Sequence, residues 1–186
     1  EKNKTEILAS RIDSTKILNE AILQCKNPPK HFINSSTATI YRHSEDKEMD
    51  EYTGEIGNDF SMNVAKSWEK TFYEVETPNT LKTAIRTSIV LGKNGGAFVP
   101  LKKLTQFGLG GKNGNGNQFM SWIHEKDFAR AVEFIIEKEL SESINVVSPI
   151  PVRNETFMKK LQKAIGIPFG LPISKSMLEI GAKIIK

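Results

Sequence analysis

The alternation of helical and strand periodicity is the feature that most constrains this chain. Ile7, Leu8, Ile12, Thr15, Leu18, Ala21, Ile22 and Cys25 recur at spacings of three and four. That spacing predicts one long amphipathic helix over residues 5–25, stopped by Pro28-Pro29. His31-Phe32-Ile33-Asn34-Ser35-Ser36 then reads as a short buried strand that opens into hydroxyl residues. Residues 57–59 read as a turn and helix start, 60–73 as a helix, and 81–91 as an apolar, β-rich run. Helix, strand, helix, strand in this rhythm means βαβ crossovers and an α/β fold with a parallel sheet. The expected core is a pair of adjacent parallel strands, 30–36 and 81–89, with helix 60–73 crossing between them. Further on, helices are expected at 127–140, capped by Asp127, at 154–164 and at 175–186, with a strand at 143–147.

At 186 residues the chain is one domain of ordinary size or part of a larger protein. The net charge of +4 is spread along the chain, and Lys102-Lys103 and Lys159-Lys160 read as solvated faces. Nucleic-acid binding calls for a clustered basic patch with aromatic platforms, and the sequence has none. No apolar run is long enough to span a membrane, and no signal-peptide pattern opens the sequence. The expected partner is therefore a small molecule, neither nucleic acid nor membrane. Cys25, the one cysteine, forms no internal disulfide, which fits a reducing, cytoplasmic setting. With it, His31, His43 and His124 give no metal-ligand spacing, so no metal site is expected.

The densest motif is Gly108-Leu109-Gly110-Gly111-Lys112-Asn113-Gly114-Asn115-Gly116-Asn117-Gln118, followed by Ser121-Trp122-Ile123-His124. Composition alone favours a hairpin turning at Asn113-Gly114 or Asn115-Gly116. The alternative is a mobile loop whose backbone approaches a ligand, with residues 122–124 held firmly behind it.

An ordered set of short motifs covers most of the chain. It comprises Ser10-Arg11 with Ser14-Thr15, Asp59-Phe60 with Trp68-Glu69, Arg86 with Val90-Leu91-Gly92, and Gly95-Gly96. It continues through Gly108–Gly111, Gly114, Gly116, Gln118, Trp122-Ile123-His124 with Asp127, and Asn145-Val146-Val147-Ser148-Pro149 with Pro151-Val152 and Asn154. This order resembles the epimerase family proteins, an atypical group of the extended short-chain dehydrogenase/reductase superfamily related to NAD-dependent epimerases and dehydratases, here truncated at both ends. The resemblance implies the C-terminal half of an extended Rossmann-like parallel sheet over 1–92, and part of a small α/β substrate domain over 93–186. Neither Gly-x-Gly-x-x-Gly nor Gly-x-x-x-x-Gly-Lys-Ser/Thr occurs, so the cofactor's phosphate-binding half is expected to lie outside this chain. The cofactor implied for the full-length protein is NAD(P), with NADP placed ahead of NAD.

Dehydrogenases of this superfamily use a Tyr-x-x-x-Lys pair for proton transfer. Four residues after Tyr41, Tyr52 and Tyr73 stand Glu45, Ile56 and Thr77, so none carries the lysine. By register the pair would fall at Ser61 and Ala65. The segment from Asn34 to Tyr41 resembles the superfamily's Ser-Ser-x-Ala-x-Val-Tyr strand end and puts Thr37 at the catalytic hydroxyl position. Thr37 is either that group or a strand-end cap; Tyr41 is either a substitute acid or core packing. The resemblance assigns Ser35, Ser36, Arg86, Thr87, Ser88 and Ile89 to the nicotinamide end of the cofactor. For Arg86 an ion pair with Glu69 or Asp127 is the competing role. Gln118, Trp122 and His124 are the expected substrate-binding residues, with a structural hydrogen bond the alternative for His124. The function implied is an NAD(P)-binding epimerase/dehydratase- or reductase-like protein acting on a small polar substrate, or a cofactor-binding regulatory protein that has lost catalysis.

Overall fold

The computed structural model describes residues 2–173, so the helix expected at 175–186 lies outside the described residues. In chain order the elements are α1 (Lys2–Gln24), β1 (His31–Asn34), a single 3-10 turn (Ala38–Ile40), α2 (Phe60–Tyr73), β2 (Leu81–Thr87), β3 (Ile89–Leu91), α3 (Phe98–Gln106), β4 (Phe119–Met120), β5 (Trp122–His124), α4 (Glu125–Glu137), β6 (Glu142–Val146), β7 (Val152–Arg153) and α5 (Asn154–Ile165). Two compact units divide them. The first holds Glu1–His43, Lys47–Ser88 and Lys126–Val147; the second holds Ser44–Asp46, Ile89–Glu125 and Ser148–Lys186. The expected contiguous division after residue 92 gives way to an interleaved one, because the chain returns to the first unit to supply its third strand.

The first unit is built on a parallel sheet of order β1-β2-β6. His31 stands opposite Leu81 and Asn34 opposite Ala84, with α2 joining the two strands as expected. Alternation along the strands sorts the side chains by face. On one face Phe32 meets Phe72 of α2 edge-on, with ring centroids 4.9 Å apart, and Arg86 meets Glu69 of the same helix. On the other, His31 and Thr83 meet the turn after α4. The continuous run expected over 81–91 is broken at Ser88, and Ile89 begins β3 in the second unit.

α1 packs on α2 through a stripe more polar than its spacing suggests. Ile7 and Leu18 remain 43% and 49% exposed, whereas Thr15 and Asn19 are buried. Thr15 Oγ1 accepts from the Trp68 indole at 2.9 Å, and Asn19 Nδ2 donates to the Thr71 carbonyl at 3.0 Å. Arg11 lies over the Trp68 ring at 5.6 Å, so one face of α1 answers one aromatic residue of α2. The end of α2 is held from the sheet: Lys82 Nζ donates to the carbonyls of Phe72 and Val75 at 2.7 and 2.6 Å.

α4 starts at Glu125, two residues before the expected cap. Asp127 is therefore the third helical residue, and its carboxylate accepts from Arg130 at 3.2 Å. The helix ends with the Leu140 N–H on the Ile135 carbonyl and the Glu139 N–H on that of Ile136. This two-bond terminus needs a left-handed residue, ordinarily glycine, and Glu139 fills it at φ +49°.

The second unit pairs β3 with β5 in parallel and β4 with β7 antiparallel, and packs α3 against α5. The glycine segment inside it is neither a hairpin nor loose. Its backbone runs beside residues 171–173: Leu171 N–H reaches the Gly108 carbonyl, Gly111 N–H that of Leu171, Ile173 N–H that of Lys112, and Gly114 N–H that of Ile173. Asn154 Oδ1 holds the Asn113 N–H at 2.8 Å. A Cβ on Gly111 would overlap the Leu171 backbone, so glycine there serves close packing of chain on chain. The left-handed Gly116, at φ +79°, passes its carbonyl to the Glu155 N–H at the start of α5.

Glu139→Gly is expected to raise unfolding stability by about 1 kcal/mol, as the left-handed cost of a side chain exceeds the added freedom of the unfolded glycine. Denaturant unfolding of the two proteins measures it; equal or lower stability of the variant contradicts the analysis of this helix end.

Candidate functional site

The carboxyl ends of parallel strands are where α/β sheets bind ligands, and in the first unit those ends are dominated by one buried polar network. Asn34 and Ser36 follow Phe32 at a period of two, which turns Ser36 toward α2. Its hydroxyl donates to Glu69 Oε1 at 2.6 Å. Arg86 grips the same carboxylate with two bonds, Nη2 to Oε2 at 2.8 Å and Nε to Oε1 at 3.0 Å. Ser143 of β6 adds a long contact to Oε2 at 3.5 Å. The remaining Arg86 nitrogen, Nη1, donates to the Tyr41 hydroxyl at 2.8 Å, and Tyr41 in turn donates to Asn145 Oδ1 at 2.9 Å. Asn145 is held through its N–H by Glu51 and through Nδ2 by the Met49 carbonyl.

Two of the competing structural roles are seen here. Arg86 pairs with Glu69, and its guanidinium is pushed above its ordinary value, first by the hydrogen bonds to Glu69 and then by Tyr41 against the opposing effect of burial. Tyr41 is 8% exposed, packs with Ile40 and Ala65, and spends its hydroxyl as both donor and acceptor. Thr37 caps the 3-10 turn, its Oγ1 accepting from the Thr39 N–H at 3.2 Å, and it bridges in parallel to Thr87 at the end of β2. Ser35 is exposed, and Thr37, Thr87 and Ser88 are half-buried. Thr87 and Ser88 donate to the carbonyls of Ile85 and Val146. Asn34 Nδ2 is buried without a partner.

Of the two α2 positions at which the resemblance would put the superfamily's pair, one is buried and one exposed. Ala65 is 1% exposed within the Ile40–Tyr41 cluster, while Ser61, one turn earlier, is exposed.

The second unit holds the other expected residues. Ile89 stands opposite Trp122, and Leu91 opposite His124. Gln118 is half-buried, with Nε2 on the Asn113 carbonyl at 3.0 Å and its own carbonyl on the Asn154 N–H. Trp122 is half-buried with its indole N–H unpartnered, and His124 is exposed. Ser143 and Asn145 are the network members that sequence reasoning gave no role. The signal for them was present, since both interrupt an apolar strand at a period of two on the face that already carries Arg86.

A buried ion pair that loses one partner leaves a stranded charge. Arg86→Met is expected to cost about 3–5 kcal/mol of stability. Glu69→Met/Arg86→Met should lose far less than the two single substitutions summed, and a double-mutant cycle from urea unfolding measures the coupling. Additive losses contradict the pairing.

No family model matches the chain. It is 33% identical over 193 residues to the Bacillus subtilis epimerase family protein YfhF, an alignment covering 100% of this chain and 63% of that protein. It is 31% identical over 175 residues to the mouse epimerase family protein SDR39U1, covering 93% of this chain and 59% of the relative. The crystal structure of human SDR39U1 with NADPH superposes with a TM-score of 0.91 at 29% identity, over 97% of this chain and 61% of that one. A nucleoside-diphosphate sugar epimerase from Corynebacterium glutamicum superposes at 0.77 with 26% identity, over 97% and 40%. The chain thus spans less than two thirds of the length of the curated relatives it matches. Within that span, the chain is similar in sequence and fold to proteins named epimerase family proteins.

Proposed function

We propose that the full-length protein binds an NAD(P) cofactor, NADP(H) ahead of NAD(H), and works as an epimerase/dehydratase- or reductase-like protein on a small polar substrate. The observation that carries this reading is the chemistry at the carboxyl ends of β1 and β2. Ser35, Thr37, Thr87 and Ser88 offer hydroxyls there, and Arg86 is withdrawn into its pair with Glu69. Such an uncharged donor and acceptor set suits an amide-bearing, ribose-bearing cofactor end and does not suit phosphate. The crystal structure of the human relative with NADPH supports the choice of cofactor.

In this reading Ser35, Ser36, Thr87, Ser88 and Ile89 hold the nicotinamide end, and Arg86 fixes Ser36 through the shared Glu69 carboxylate. Thr37 steadies the reacting substrate oxygen. Tyr41 is the candidate substitute acid, and to act as one it gives up the bond it donates to Asn145. Gln118, Trp122 and His124 bind substrate, Trp122 with a free indole N–H. When bound, the nicotinamide supplies or accepts a hydride. The single exposed Cys25 suits a reducing, cytoplasmic setting. The burial of Ala65 favours a second reading, a regulatory protein that binds cofactor without turning substrate over.

Calorimetric titration of the full-length protein is expected to show NADPH binding more tightly than NADH. Thr87→Val should weaken NADPH by about 1 kcal/mol, roughly fivefold, with the fold retained. No binding of either nucleotide refutes the proposal. If NADPH binds but a panel of nucleotide sugars and small carbonyl compounds never changes its absorbance, the regulatory reading stands in place of the enzymatic one.

A further inference from the structure

The face of the sheet opposite α2 carries a polar relay that the candidate site does not use. Thr83 of β2 is fully buried, and its hydroxyl donates to the Leu140 carbonyl at 2.5 Å. A carbonyl cannot donate, so the single hydroxyl proton of Thr83 is committed to Leu140. The contact of 2.7 Å between Thr83 Oγ1 and His31 Nε2 must then be donated by the imidazole. His31 is thereby fixed as the Nε2–H tautomer, and its Nδ1 is buried with no partner. A proton added there would be an N–H sealed from water with nothing to accept it.

The relay ends on a strained turn. Leu140 follows Glu139, and Glu142 begins β6 two residues later; both glutamates sit in the left-handed region, at φ +49° and +75°. Such conformations in residues with side chains persist only where neighbouring structure holds them. The Thr83–Leu140 bond is one such hold, and it connects the turn through Thr83 to His31 on β1.

We infer that His31 is an acid-sensitive latch: neutral, it completes the relay that pins the Glu139–Glu142 turn to the sheet; protonated, it carries an Nδ1–H that its buried place cannot satisfy, so the ring leaves the relay and the turn is released. The charged group that acts on it is Glu139 on the turn; Glu142 stands opposite Thr83 in the sheet register, Lys30 precedes it in the chain, and Thr83 itself brings no charge. Burial lowers the His31 pKa from its ordinary value and outweighs the Glu139 carboxylate, which works in the opposite direction. A histidine with a depressed folded-state pKa contributes stability that is complete above the unfolded value of 6.5. That contribution is lost as pH falls below it, because the unfolded chain takes up the proton first.

The test is made on the full-length protein. Long-range nitrogen–proton NMR correlations of the His31 ring at neutral pH should show the Nε2–H tautomer, with a titration midpoint below 6.5. Amide exchange at Leu140, Ser141 and Glu142, corrected for intrinsic rates, should lose protection between about pH 7.5 and 5.5. In His31→Gln, which keeps a donor toward Thr83 and leaves Glu139 and Glu142 in place, that loss should vanish. An Nδ1–H tautomer, a midpoint at or above 6.5, or an equal loss of protection in His31→Gln overturns the inference.

Discussion

One carboxylate organises the first unit. Glu69 sits on α2, 7% exposed, and without partners a charge so buried would cost several kcal/mol. It is met from three strands or strand ends at once: Ser36 just past β1, Arg86 on β2 and Ser143 on β6. Because Arg86 takes it in a two-pronged grip and hands its last nitrogen to Tyr41, the pair also fixes the chain after β1 and, through Asn145, the end of β6. Apolar packing between α2 and the sheet, as in Phe32 on Phe72, supplies attraction but little register. The ion pair supplies the register, since its geometry tolerates neither a shifted helix nor a slipped strand.

Much of this fold was legible in the sequence where strands are buried and helices amphipathic, so that periodicity and burial coincide; α1 is the exception. The helix at 60–73 and the parallel pairing of β1 with β2 follow directly from that coincidence. The errors fall where local chemistry competes with tertiary contacts. Asp127 is a good cap by type, yet α4 begins earlier, directly after β5. Glu139 stands where sequence rules expect glycine, so the end of α4 could not be read from residue type. β4 and β7, of two residues each, carry no period of their own; they exist because the glycine segment and the start of α5 bring them together.

The glycine segment shows why composition misleads. Asn-Gly pairs indicate hairpins when the flanking strands pair with each other. Here the flanking chain pairs with residues 171–173, more than fifty positions away in sequence, so the partner was invisible to any local reading. Nor are these glycines free to approach a ligand at every position. At Gly111 the space a side chain would fill is already occupied by the Leu171 backbone.

The site residues divide on the same principle. Positions whose side chains are spent on the protein, Arg86 and Tyr41 above all, were recognisable by motif but ambiguous in role, because a buried arginine serves a ligand or a partner carboxylate with the same chemistry. Only the placement of Glu69 decides between them. Once Arg86 is committed, the carboxyl end of the sheet presents hydroxyl groups without a free cation at that position, and Ala65 is sealed beside Ile40 and Tyr41. The Tyr41 hydroxyl there is already hydrogen-bonded to a guanidinium. The arginine thus holds the Tyr41 hydroxyl in place while also holding the helix to the sheet.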